Sequence, residues 1–180
     1  EINSSAPNFH CNLAYSLLLN GDFEAGWKEH EWRWQEEQLR DRKRDSAQPL
    51  WLGEETLEGR PILLHSEQGL GDTIQFSRFA KMVTDQGARV ILEVPRSLLG
   101  LMGTLDGFAR LVKKGVALPD FDYHCPLLSL PLAFNTDIHS ISAPIPYLFS
   151  DAGYVASWQK KLGARTKPRV GLVWSGRSTH

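Results

Sequence analysis

The stretch LLHSEQGLGDTIQFSRFAKMV, residues 63–83, decides the fold. It opens with apolar residues suited to a buried strand and passes Gly69, Gly71 and Asp72. It then takes helical spacing, with Ile74, Phe76, Phe79, Ala80 and Val83 directed inward from a helix expected over Thr73 to Gln86. A strand that turns through glycines into a helix leaves backbone N–H groups unpaired at the helix start, where anionic and polar ligands bind well. The same turn can also be architecture alone.

The alternation continues along the chain. PILLHS (61–66) reads as a buried first strand, ARVILEVP (88–95) as a second, GFARLVKK (107–114) as a weaker third and FDYHCPL (121–127) as a fourth. RSLLGLMGTL (96–105) forms a short helix between strands, and LLSLPLAF (127–134) follows the fourth. Strands alternating with helices predict an α/β domain with a Rossmann-like parallel sheet over 61–150. Residues 151–180 read as a linking helix, DAGYVASWQKKLG, and a strand, KPRVGLVWSG, that opens a truncated second domain. Val170, Leu172, Val173 and Trp174 are too apolar to be left in water, so this strand is expected on the edge of its own sheet or of a neighbouring copy.

Before the sheet, residues 8–36 read as a helical hairpin. Leu13, Leu17 and Leu18 repeat at helical spacing, NGD breaks the run at residues 20–22, and Phe23, Trp27 and Trp34 restart it. The hairpin is assigned to residues 1–38 and a connector to 39–60. In the connector Arg40, Arg42, Lys43 and Arg44 alternate with Asp41 and Asp45, the pattern of a solvated charged face, while Trp51 and Leu52 anchor it to a core. Trp27, Trp32, Trp34 and Trp158 read as packing residues.

Composition narrows the classes. Of 180 residues 42% are hydrophobic and 23% charged, and 20 basic against 21 acidic residues leave a net charge of -1. That balance offers no electrostatic footprint for nucleic acid or an anionic membrane. No apolar run reaches the roughly 18 residues of a membrane span. Cys11 and Cys125 make neither a metal spacing nor a disulfide framework, which suits reduced, buried thiols and a cytoplasmic setting. A start at Glu1, without Met, suggests a piece of a longer chain.

In the glycine loop Asp72 has two readings. DTIQ is a capping-box pattern, with Asp72 as N-cap and Gln75 reaching back. A carboxylate at the carboxyl end of the first strand also lies where open parallel sheets bind ligands, and it can accept a proton from a substrate hydroxyl. Glu67 and Gln68 stand in the same loop, placed to contact a hydroxylated ligand. His65 and His124 end the first and fourth strands on the same edge and could bind acceptor or phosphate. Dinucleotide binding is disfavoured: Glu93 falls 22 positions after Gly71, but Ile74 occupies the position where the third glycine of the fingerprint belongs. Cys125 adjoins His124, yet neighbours on a strand point to opposite faces.

Two resemblances rest on these residues. Leu13, Ala14, Leu17, Gly21, Phe23 and Gly26 resemble a tetratricopeptide repeat, although His30 and Arg33 stand where that repeat usually has an aromatic residue and an alanine. A single copy implies the last unit of an array, which could bind a protein partner. HSEQGLGDTIQFSRF, GARVILEV, FDYHCPLLSLPLAF and PRVGLVWSG, in that order, resemble the glycosyltransferase-like domain found behind such repeats in bacterial proteins. That domain is similar to the heptosyltransferases of glycosyltransferase family nine. The resemblance implies a GT-B architecture, with acceptor and nucleotide-sugar donor held by two Rossmann-like domains and the sugar passed to a hydroxyl. The nucleotide-sugar is a co-substrate, and neither cofactor nor metal is implied. Asp72 matches the presumed general base of the family's G-x-L-G-D loop, and Gly69, Leu70 and Gly71 match the rest of it. Trp174, Ser175 and Gly176 match the first loop of the donor domain, with Arg177 beside them near the donor phosphates. On this reading the chain alone is expected to be inactive; a scaffold that has lost its chemistry is the competing expectation.

Overall fold

Pro61 has no N–H to give a ladder and is tolerated at a strand's first residue, where it opens β1 (Pro61–His65). The computed structural model describes residues 6–141 and 145–173. Strand β1 pairs in parallel with β2 (Arg89–Val94) on one side and β4 (Tyr123–Pro126) on the other, and β3 (Arg110–Lys113) extends the sheet beyond β2. The order is therefore β3-β2-β1-β4. The chain moves outward from β1 through β2 to β3 and returns to the far side of β1 for β4. The reversal puts a crevice at the carboxyl ends of β1 and β4, the position at which open α/β sheets bind ligands. The four strands fall within the four runs that the sequence predicts.

Because side chains alternate across a strand, the sheet has two distinct faces. Ile62, Leu64, Val90, Leu92, Val94 and Cys125 face the main core, which includes Phe79, Ala80, Val83, Met102 and Leu127. Each such aliphatic side chain contributes about 1.5–3 kcal/mol by leaving water. Leu63, Ile91 and Val112 face the other way into a small cluster with Leu118 and Phe121. Further along this second face the residues turn polar: His65 is the register partner of Glu93, and His124 that of Leu63.

The helix after β1 differs from the sequence expectation. It forms as α4 (Leu70–Phe76) and α5 (Phe79–Asp85), interrupted at Ser77–Arg78. Here the Ala80 N–H bonds the Ser77 carbonyl three residues back, and the Ser77 hydroxyl bonds the Ile74 carbonyl. That side-chain competition for a helical carbonyl is a common cause of such a break. Short helices α6 (Leu99–Met102) and α7 (Leu130–Ala133) follow β2 and β4.

The amino-terminal hairpin pairs α1 (Pro7–Leu19) with α2 (Phe23–His30). Asp22 caps α2 by accepting the Ala25 N–H at 3.3 Å, and Gly21 between the helices has φ +88°. A Cβ on Gly26 would lie 2.7 Å from the Leu18 side chain, so glycine sets how closely the helices approach. A tight turn over Glu31–Gln35 and a short α3 (Glu37–Arg40) carry the chain into the connector. There Trp51 is 1% exposed, and its N–H bonds the His124 carbonyl at 2.9 Å, extending the β4 edge. Gly53 takes φ +100° where a Cβ would sit 2.1 Å from the Ala133 carbonyl oxygen.

The chain divides into two compact units, Glu1–Phe149 and Ser150–His180. In the second, Asp151 caps α8 (Ala152–Leu162) through the Tyr154 N–H at 2.9 Å. The expected edge strand is corrected here: residues 168–173 form no strand, and Val170, Leu172 and Val173 are exposed. Apolar character alone supplies no pairing partner for a strand's backbone. Trp174, Ser175, Gly176 and Arg177 lie outside the described residues.

Candidate functional site

The loop from Ser66 to Asp72 leaves the carboxyl end of β1 and enters α4. Its cap is not the one the sequence suggests. Gly69 is the N-cap, and Asp72 stands three residues inside the helix, with its Oδ2 accepting the Gly69 N–H at 2.9 Å. The helix begins a turn earlier than DTIQ implies because glycine can cap without a side chain while the inner carboxylate reaches back. The Gly69 carbonyl in turn accepts the Thr73 N–H at 3.1 Å and the Thr73 hydroxyl at 3.0 Å. Asp72 is half-buried, and its Oδ1 makes no hydrogen bond among the described residues. Leu70 and Gly71 are exposed beside it, and Gln68 is half-buried.

Glu67 is placed differently from its expected ligand contact. It is 3% exposed and its Oε1 accepts from Arg33 Nε at 2.7 Å, so the hairpin reaches into the loop. Arg33, itself 1% exposed, also donates to Glu31 Oε1 at 2.6 Å, the Ser129 hydroxyl at 2.7 Å and the His30 carbonyl at 3.1 Å. Ser129 completes the ring by donating to Glu31 Oε1 at 2.8 Å. One buried guanidinium thus faces two carboxylates, Glu67 buried with it and Glu31 half-buried. Burial pushes the Glu67 carboxyl up to about 7 despite Arg33, with the charges of Glu31 and Asp72 adding to the rise. Glu67 Oε2 and the adjacent Ser66 hydroxyl are buried without partners among the described residues. Burial and the Arg33 charge hold the His30 ring far down, at about 3, so it stays neutral.

The two strand-end histidines do come together. His65 Nε2 and His124 Nδ1 are 3.3 Å apart, and both rings are buried. Burial and the cations Arg44, Lys114 and Arg33 keep His65 well below its ordinary value, and burial with Arg44 and Lys43 lowers His124. Arg44, read from sequence as part of a solvated face, lies against the sheet and pairs through Nη2 with Glu93 Oε2. That pairing occupies the acid a dinucleotide ribose would need. Lys114 donates to the Ser66 carbonyl at 2.9 Å, tying the loop after β3 to the loop after β1. Cys125 points the opposite way into the main core, where burial holds its thiol well above the ordinary range, so it is no nucleophile.

Among the described residues no cluster of His, Cys, Asp or Glu could hold a metal, and no helix is long and apolar enough to cross a membrane. The sequence missed the Arg33–Glu67 pair and the position of Arg44. A signal for the first was present: a buried-side arginine at a helix-packing position needs a carboxylate partner, and Glu67 is one of the loop's two acids, with Asp72.

The fold and this site define an α/β protein with a four-stranded parallel sheet, a helical hairpin locked to the loop after β1, and a polar crevice at its topological switch point. No family model matches the chain, and no curated protein or solved structure matches it.

Proposed function

We propose that this chain carries the acceptor side of a GT-B glycosyltransferase, with Asp72 as the base that takes the proton from an acceptor hydroxyl as a nucleotide-sugar delivers its sugar. The observation that supports it is the division of labour on Asp72. Oδ2 is committed to the Gly69 N–H, which fixes the carboxylate's direction, while Oδ1 has no hydrogen-bond partner among the described residues, at the carboxyl edge of the sheet. A general base needs that combination of fixed orientation and an open lone pair within reach of the attacking oxygen. The exposed backbone at Gly69 and Gly71 lets a ligand come close, and Gln68 is available for a second hydroxyl. The hairpin belongs to this reading as the repeat next to the sheet domain.

The test titrates the protein calorimetrically with uridine, guanosine and adenosine diphosphate sugars and then assays it for transfer. Binding of one nucleotide-sugar is expected, with Asp72→Asn lowering turnover by about 10²–10⁴ while that binding persists. Failure of every nucleotide-sugar to bind a folded protein overturns the reading. A second reading, a protein-binding scaffold, draws on the exposed Tyr15 and Leu19 of α1 and would then take its place.

A further inference from the structure

A cavity of about 350 Å³ lies between the connector and the ends of β1 and β4, lined among others by Lys43, Arg44, Asp45, His65 and His124. It occupies the switch-point crevice on the second face of the sheet, and the sugar-transfer reading assigns nothing there beyond the two histidines. A buried histidine pair with a structural role alone usually bonds a carboxylate or a backbone carbonyl through its outer nitrogens. These two rings bond only each other among the described residues. In either tautomeric arrangement one outer nitrogen is a bare acceptor and the other a lone donor. One added proton turns both outer nitrogens into donors.

The charged groups around the rings come from every neighbouring element. Arg44, Lys43 and Asp45 lie on the connector, Glu93 on β2, Lys114 after β3 and Arg33 on the hairpin. Glu93 is taken by Arg44 Nη2, whereas Arg44 Nη1 and Lys43 Nζ make no hydrogen bond or ion pair among the described residues. The pocket therefore offers two cations and, after one proton, two imidazole donors.

We propose that this pocket binds a dianionic oxyanion, of the chemistry of a phosphate monoester, and takes up one proton on the His65–His124 pair as it does so. The anion supplies a partner for Lys43 Nζ, Arg44 Nη1 and the outer imidazole nitrogens, none of which Asp45 or Glu93 bonds. Proton and anion then bind together, each strengthening the other. The inference does not depend on sugar transfer, and its test contains no sugar.

The experiment is isothermal titration of the full chain with inorganic sulfate, which does not titrate near neutral pH, and with inorganic phosphate. It is run from pH 8 to pH 6 in buffers of differing ionisation heat. Direct titration is needed because sulfate raises melting temperatures nonspecifically by exclusion from protein surfaces. Saturable binding is expected that tightens by up to about tenfold per pH unit, with close to one proton taken up at the alkaline end. Replacing both rings, His65→Gln together with His124→Gln, removes the pH dependence, since glutamine takes no proton. Lys43→Ala, an exposed change that leaves the core alone, weakens binding by about threefold. Three results overturn the proposal: no saturable binding of either anion to folded protein at pH 6; binding indifferent to the histidine and lysine substitutions alike; or acetate binding as tightly as sulfate.

Discussion

Replacing Glu67 by glutamine isolates the most unusual electrostatic feature of the molecule. The folded carboxyl titrates at about 7 against an ordinary 4.5, because burial outweighs the Arg33 charge. A folded acid with a raised pKa binds more protons than the unfolded chain between those two values. The slope of stability with pH is therefore negative there: Glu67 costs nothing below pH 4.5, and its penalty is fully present above pH 7. The separation of about 2.5 on the pKa scale, at 1.36 kcal/mol each, makes that penalty ~3 kcal/mol. Glutamine keeps an Oε1 acceptor for Arg33 Nε and has no proton to lose. Glu67→Gln should thus gain ~3 kcal/mol on the wild type as pH rises from 4.5 to 8, a relative shift of roughly 1.5 M in the urea midpoint. Tryptophan fluorescence during urea unfolding at each pH measures it, and titrations shared by both proteins cancel in the difference. Parallel stability profiles would refute the reasoning, and so would a wild type that gains on the variant with rising pH. The latter would mean that Arg33, not burial, governs the carboxyl.

Arg33→Met leaves half-buried Glu31 and buried Glu67 facing each other and should cost about 3–5 kcal/mol in urea unfolding, with much of the loss regained when both acids are also made glutamine. His30, neutral and held down to about 3 by burial and Arg33, binds a proton more readily unfolded, so it removes stability as pH falls below 6.5. His30→Gln should flatten that loss by ~2.7 kcal/mol by pH 4.5, read as a difference between unfolding curves. Gly53→Ala forces a side chain into φ +100° against the Ala133 carbonyl and should lower stability by at least ~2 kcal/mol, visible as a reduced melting temperature.

The sheet was legible because its two central strands, β1 and β2, are near-continuous apolar runs separated by turn residues, and burial on both faces demands such runs. Leu63 and Ile91 carry the second face as surely as Ile62, Leu64 and Val90 carry the first, whereas the edge strand β3 buries only Val112 between exposed Arg110 and Lys113. The details that failed depend on competition between near-equal local options. Asp72 could cap a helix from outside or from its first turn, and a few tenths of a kcal/mol between glycine and aspartate caps is too little for sequence to decide. Ser77 broke a helix whose apolar spacing runs through it unchanged. Val170 to Val173 have the composition of a strand, but a strand exists only where another backbone receives its hydrogen bonds.

The site was legible as a set of positions and illegible as a set of roles. His65, Glu67 and Asp72 share one short segment, yet one side chain lines a pocket, one is locked under a helix and one keeps an oxygen open. What separates them is the identity of the side chain that arrives from elsewhere in the chain: His124 for the first, Arg33 for the second and, among the described residues, none for the third. His30 and Arg33 are the two positions at which the hairpin departs from the repeat pattern it resembles. Both are buried and bonded, with Arg33 supplying the guanidinium that holds Glu67. At position 33 the junction sets the residue: a side chain that packs on a buried acid must answer its charge. A hairpin carrying alanine at position 33 would still bury its leucines, but it would leave the loop after β1 holding a buried carboxyl with nothing to bind.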